Sequence, residues 1–398
     1  MKRKIEQRLT TCAVMIVVCL AVSSCAPAEG GLGRGGSDNM NSAINLQAVY
    51  DNGFSADIFD DDVKNSIEVA ARVVAMTLDE KIYQLFFVTP QDTALGLPFG
   101  GVVFFASDIQ SRDQVRSKIE RLQGEAKTPL FIGVDEEGGS VARISGQANL
   151  GFDPIPPMRE IGETGDSEKA MEVGKAIAEN IKGLGFNVDF APVADVITNP
   201  NNTEIGDRAF GTDPALVSEM VKQEVIGLHE GGVCTALKHF PGHGSTQANS
   251  HLGYSESLRT LDELRATEFL PFEAGIEADS DFVLISHMTA RGVDEAGLPA
   301  SLSKKIITDI LRGDLGYENL VITDSMVMGA ITDSYSASDA AVMAINAGVD
   351  MILIPESVSG AYEGVMAAIE AGTLTEARIG ESVSRILKVK MLRGIIIK

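Results

Sequence analysis

CTALKHFPGHGSTQANSHLG, residues 234–253, joins an apolar run to a loop. The run, CTALKHF, has the length and apolar content of a core strand and carries two ionisable residues, Lys238 and His239, near its end. Beyond Phe240 the glycines and a proline forbid a continuous helix, yet three of the chain's five histidines lie at 239, 243 and 251. The same apolar run with a polar end recurs along the chain. QLFFV at 84–88, GGVVFF at 100–105, PLFIGV at 129–134 and FNVDFAP at 186–192 precede it; FVLISHM at 282–288, LVITDS at 320–325 and MILIPE at 351–356 follow. Helical patterns such as SEKAMEVGKAIAENIKGLG at 167–185 separate them. This alternation predicts an α/β protein, a single-domain (β/α)8 barrel of the TIM type. A doubly wound sheet would use fewer strands over this length and would favour a glycine-rich phosphate loop after its first strand, which QLFFVTPQDT does not provide.

A barrel builds its site at the carboxyl ends of its strands. Asp135 follows PLFIGV, Lys238 and His239 end CTALKHF, His287 ends FVLISHM and Asp324 ends LVITDS. One polar strand end is usually structural. Several on one face point to a functional site, because buried charges are costly unless paired or used.

Composition sets the outer bounds. With 398 residues, 44% of them hydrophobic, the chain can bury a large core. A formal charge of −23, with no Lys/Arg-rich run after the first ten residues, argues against a nucleic-acid partner. Lys2, Arg3, Lys4 and Arg8 precede an apolar stretch from Thr11 to Val22, too short for a comfortable transmembrane helix. The stretch ends at Val22-Ser23-Ser24-Cys25, which resembles a bacterial lipobox. The expectation is a signal peptide over 1–24, a lipid on Cys25, a flexible linker over 25–60 and one catalytic domain over 61–398. A non-lipid cleaved signal or an uncleaved anchor is the plainer alternative. Of the four cysteines only Cys25 and Cys234 would survive processing, too few for a disulfide framework.

Six spaced motifs carry a family resemblance: MTLDEKIYQLF at 76–86, GVDEEGGSVARI at 133–144, FAPVADV at 190–196, IGDRAFG at 205–211, KHFPGHGSTQANSH at 238–251 and ITDSMVMGAI at 322–331. Together they resemble the single-domain β-N-acetylglucosaminidases of glycoside hydrolase family 3, over roughly residues 75–395. The resemblance implies that Asp324 is the nucleophile of a retaining glycosidase. It implies that Asp135, Arg143, Arg208, Lys238 and His239 hold the sugar, and that His251 is the general acid/base. In that family the residue two before this histidine is normally an aspartate forming a dyad with it. Here it is Asn249.

General chemistry suits these roles. An oxocarbenium-like state needs an anion on one face of the sugar and a proton donor on the other. Histidine titrates near neutrality and can serve as acid and then as base. Gly242 and Gly244 would give the loop freedom to bring His251 to the substrate. The implied partners are a saccharide containing N-acetylglucosamine, taken from peptidoglycan fragments, and a membrane reached through the lipid on the extracytoplasmic side. No metal or organic cofactor is implied. A metal site from His239, His243 and His251 fits no familiar spacing. Two-domain β-glucosidases would need a further domain supplying a glutamate acid. A phosphorolytic enzyme and a non-catalytic amino-sugar-binding lipoprotein remain as alternatives, Asn249 being the only sequence support for the second.

Overall fold

The computed structural model describes residues 61–246 and 255–397. The expected signal peptide, Cys25 and the linker lie outside the described residues, as do Asn249 and His251. The chain divides into two compact units, Met1–Lys81 and Ile82–Lys398. The first contains a helix over Asp61–Ala75, on which Arg72 and Glu68 pair across one turn at 2.7 Å. The barrel lies in the second. No helix among the described residues is long and apolar enough to cross a membrane.

The strands in chain order are β1 (Phe86–Val88), β2 (Gly101–Phe104), β3 (Phe131–Val134), β4 (Val188–Asp189), β5 (Cys234–Phe240), β6 (Glu256–Ser257), β7 (Phe282–Ile285), β8 (Thr289–Ala290), β9 (Leu320–Thr323) and β10 (Ile352–Leu353). Eight of them form one parallel sheet in the order β10, β1, β2, β3, β4, β5, β7, β9. A bridge between Ile322 and Met351 joins β9 to the residue before β10, so the sheet closes into the expected barrel. The short pair β6 and β8 stands apart from the ring.

Large and small side chains interlock inside the ring. Phe87 and Phe190 meet edge to face at 5.4 Å, and a Cβ on Gly133 would come within 2.9 Å of both rings. Outside it, the helix Ser167–Lys182 packs on Pro214–Glu230 so closely that a Cβ on Gly227 would lie 2.2 Å from the Met171 carbonyl oxygen. Each of these helices starts at an aspartate, Asp166 or Asp213, whose side chain accepts a hydrogen bond from a first-turn N–H.

Two irregularities shape the barrel mouth. Pro192 has no N–H, and regular pairing in β4 stops at Asp189, although the carbonyls of Ala191 and Pro192 still accept from Ala236 and Lys238. Between Leu237 and Phe240 the register of β5 on β7 shifts, three residues standing opposite two. Such a bulge re-aims side chains, and it lets the neighbours Lys238 and His239 serve the same cluster.

Candidate active site

The loop after β3 begins Asp135-Glu136-Glu137. The fully buried Glu136 carboxylate accepts from the backbone N–H groups of Arg143 (2.7 Å), Ile144 (2.9 Å) and Ser145 (2.8 Å), and so fixes the loop. Glu137 takes the opposite role and holds cations. Arg208 binds it as a fork, Nε to Oε2 at 2.8 Å and Nη2 to Oε1 at 2.9 Å, while the Lys238 ammonium pairs with Oε1. Lys238 Nζ also donates to Asp135 Oδ1 at 2.8 Å.

His239 extends the network. Its Nδ1 lies 2.7 Å from Asp195 Oδ2, and its Nε2 lies 3.2 Å from Arg208 Nη2. A guanidinium can only donate, so Nε2 acts as acceptor and Nδ1 carries the proton toward Asp195. Asp195, fully buried, also takes the backbone N–H of His243 on its other oxygen.

Charge pairing outweighs burial across this cluster. Burial alone would raise the Glu137 carboxyl, but Lys238 and Arg208 hold it well below the usual carboxylate range. Asp195 is likewise held low against its burial by His239 and His243. Lys238 is raised despite burial by Asp135 and Glu137, and Arg208 is raised chiefly by Glu137. Asp324, half-buried beyond the end of β9, would also be raised by burial; the imidazoles of His287 and His239, the Ser325 N–H and Lys238 instead lower it. That N–H donates to Asp324 Oδ1 at 2.7 Å, and Asp324's own N–H is fixed on Ile285 O at 2.8 Å. His287 is set by Ser301 Oγ at 2.7 Å and by the Ser325 carbonyl at 3.0 Å. Behind the cluster, burial and Glu137 push Glu224 up to about 8, and neither of its carboxyl oxygens has a hydrogen-bond partner among the described residues.

The structure thus brings Asp135, Arg208, Lys238 and His239 into one network at the barrel mouth, with Asp324 within electrostatic reach. Arg143 is positioned through its backbone, and its guanidinium has no ion pair among the described residues. Glu137 and Asp195 lie inside the motifs GVDEEGGSVARI and FAPVADV but are not among the residues expected from the sequence to form the site. Each had a signal: Asp195 is a lone acid inside FAPVADVI, and Glu137 belongs to the acidic run Asp135-Glu136-Glu137 that follows a strand end.

The two loop glycines have a different reason from the one expected. Gly242 has φ +118°, and a Cβ there would lie 2.6 Å from the Glu268 side chain; at Gly244 a Cβ would lie 2.0 Å from the Val196 carbonyl oxygen. Residues 241–244 are buried. Close backbone approach demands these glycines, and this part of the loop is fixed by it.

Comparison with known proteins agrees with the geometry. β-Hexosaminidase A of Pseudoalteromonas piscicida is 34% identical over 319 residues, 73% of this chain and 53% of that protein. A β-hexosaminidase of Stenotrophomonas maltophilia K279a is 34% identical over 313 residues, 72% of this chain and 91% of that protein. The solved glycoside hydrolase family 3 β-N-acetylglucosaminidase of Paenibacillus sp. FPU-7 superposes with a TM-score of 0.77 at 34% identity, over 81% of this chain and 63% of that one. The chain therefore spans about half of one curated relative and nearly all of another. The model of the glycosyl hydrolase family 3 N-terminal domain matches residues 77–389, and the chain belongs to that family.

Proposed function

We propose that this chain is a retaining exo-β-N-acetylglucosaminidase that frees N-acetylglucosamine from peptidoglycan-derived fragments. The observation that carries the reading is Asp324, a carboxylate at a rigid strand end whose pKa is lowered, beside a network able to hold sugar hydroxyls. The names of the similar proteins, β-hexosaminidases and a β-N-acetylglucosaminidase, support the sugar.

In the first step Asp324 attacks the anomeric carbon while the bond to the aglycone oxygen breaks and His251 gives that oxygen its proton. The neutral His251 then takes a proton from water, the water oxygen bonds to the anomeric carbon, and the bond to Asp324 breaks. The sugar leaves with its original configuration. Lys238, Arg208, His239, Asp135 and Arg143 bind and orient the sugar. Glu137 and Asp195 hold three of them in place. With four carboxylates, Asp135, Glu137, Asp195 and Asp324, around two cations, Lys238 and Arg208, the cluster favours the positive charge that develops on the sugar ring.

The lipobox-like Val22-Ser23-Ser24-Cys25 supports a lipid anchor that keeps the enzyme on the extracytoplasmic face of the membrane, beside cell-wall debris. Turnover of an aryl N-acetylglucosaminide and of a muropeptide disaccharide, each with and without phosphate, tests the activity. Free N-acetylglucosamine in both buffers is the expected result. Sugar 1-phosphate would make the enzyme a phosphorylase, and binding without turnover would make it a binding protein. Cys25→Ser should move the protein out of the membrane fraction; unchanged fractionation with unchanged mature mass would overturn the anchor.

A further inference from the structure

His243 has no role in the chemistry above, yet it is buried and its polar atoms are all engaged. Its Nδ1 lies 2.9 Å from Thr246 Oγ1 and its Nε2 lies 3.4 Å from Ser255 Oγ. Its carbonyl accepts from Thr246 Oγ1 at 2.9 Å and from Asn202 Nδ2 at 2.8 Å, and its N–H is held by Asp195. The Thr246 hydroxyl has one proton. When that proton goes to the His243 carbonyl, Nδ1 becomes the donor to Thr246, and Nε2 accepts from Ser255. Thr246 and Ser255 flank the segment 247–254, in which Asn249 and His251 fall. A second contact joins the same flanks, Ser245 Oγ to Ser257 Oγ at 3.1 Å. Each flank is tied outward as well, Thr246 O to Asn199 Nδ2 at 2.9 Å and Ser255 O to Thr289 N at 2.8 Å.

We propose that His243 is a positioning residue for the general acid/base: one imidazole clamps both ends of the segment that carries His251, and through Asp195 it registers those ends against the sugar-holding His239. The inference rests on the acid/base role assigned to His251 above. A loop's reach is set by where its ends are fixed, and misplacing a catalytic group by about 1 Å can cost on the order of a hundredfold in rate. A neutral ring suits the clamp. Burial lowers the His243 pKa and His239 pushes it the same way, against the opposite pull of Asp195, Glu204 and Asp324.

The test compares His243→Gln, Ser255→Ala and Ser255→Thr with His251→Ala in the full chain. Glutamine reaches toward Ser255 but gives up the Thr246 contact. The expected result for His243→Gln and Ser255→Ala is a kcat loss of about tenfold or more on a disaccharide with a poor leaving group. The loss should be much smaller on a nitrophenyl glycoside, with inhibition by free N-acetylglucosamine unchanged. Ser255→Thr, which keeps the hydroxyl, should restore the rate. Equal loss on both substrates, loss of N-acetylglucosamine binding, or no loss at all would overturn the proposal. His251→Ala separates the two levels. If it lacks the leaving-group dependence, the acid/base reading fails and takes this inference with it; if it shows that dependence while His243→Gln does not, only the clamp fails.

Discussion

Asn249 stands where the family resemblance implies an aspartate. A carboxylate beside His251 would favour the protonated imidazole, commonly by about one pH unit or more, whereas an amide offers only a hydrogen bond. The alkaline limb of kcat/KM, where His251 loses its proton, should therefore lie low, and Asn249→Asp should move it upward. It should also speed disaccharide cleavage more than nitrophenyl cleavage, because activated leaving groups need little proton help. An unchanged limb would mean that another carboxylate supports His251. Glu137 makes a second case. Its carboxylate holds Arg208 and Lys238 together, and Glu137→Gln leaves a buried ammonium and a part-buried guanidinium facing a neutral amide. Breaking such a buried pair commonly costs about 3–5 kcal/mol, so a lower melting temperature and a raised KM are expected. Unchanged values in both would remove Glu137 from the positioning set.

Among the elements, residues 241–244 after β5 are held closely by their neighbours. Gly244→Ala would drive a methyl into the Val196 carbonyl, and overpacking in a fixed setting commonly costs about 1–3 kcal/mol. Thermal denaturation should show that loss together with reduced activity; a variant of full stability would restore the view that this glycine supplies freedom. The sequence could not show this, because the clash involves residues 48 positions apart. Strands were legible where apolar runs were continuous, as in CTALKHF, whose seven residues are all strand. FNVDFAP was less so, since Pro192 interrupts the ladder there and only Val188–Asp189 pair regularly. The strand-end residues Lys238, His239 and Asp324 could be read from position alone. Glu137 and Asp195 left only a weaker trace, because they hold other side chains, and which ones they meet depends on which strands lie side by side.

At the scale of the whole molecule, the barrel carries a buried amine at the amino ends of its strands, opposite the carboxyl ends that bear the candidate site. Lys390, on the helix Glu376–Leu392, is fully buried, meets Gln84 Oε1 at 3.2 Å and lies 4.9 Å from the centre of the Phe131 ring. Burial pushes its pKa down from 10.5 to about 7. The unfolded chain therefore binds more protons than the folded one between those values, so this group makes stability rise with pH from about 7 toward 10.5. Lys390→Met should raise the melting temperature at pH 7 and flatten that rise, the gain being reduced by the unpartnered Gln84 oxygen. A lower melting temperature, or an unchanged pH slope, would show that Lys390 stays charged and is well accommodated. The same separation organises the fold. Asp350 pairs with Arg312 and Arg385, and Asp281 with His229 and Arg393, apart from the network of Asp135, Glu137, Lys238 and Arg208 at the barrel mouth, where the proposed function puts the sugar.

The central claim is that Asp324 bonds to the sugar during turnover. Mixing the enzyme with an activated, slowly hydrolysed fluorinated N-acetylglucosaminide and mapping the digested protein by mass spectrometry tests it most directly. One glycosyl adduct on the peptide containing Asp324, absent from Asp324→Asn, is the expected result. An adduct on another residue, or turnover by Asp324→Asn at a comparable kcat, would contradict the account.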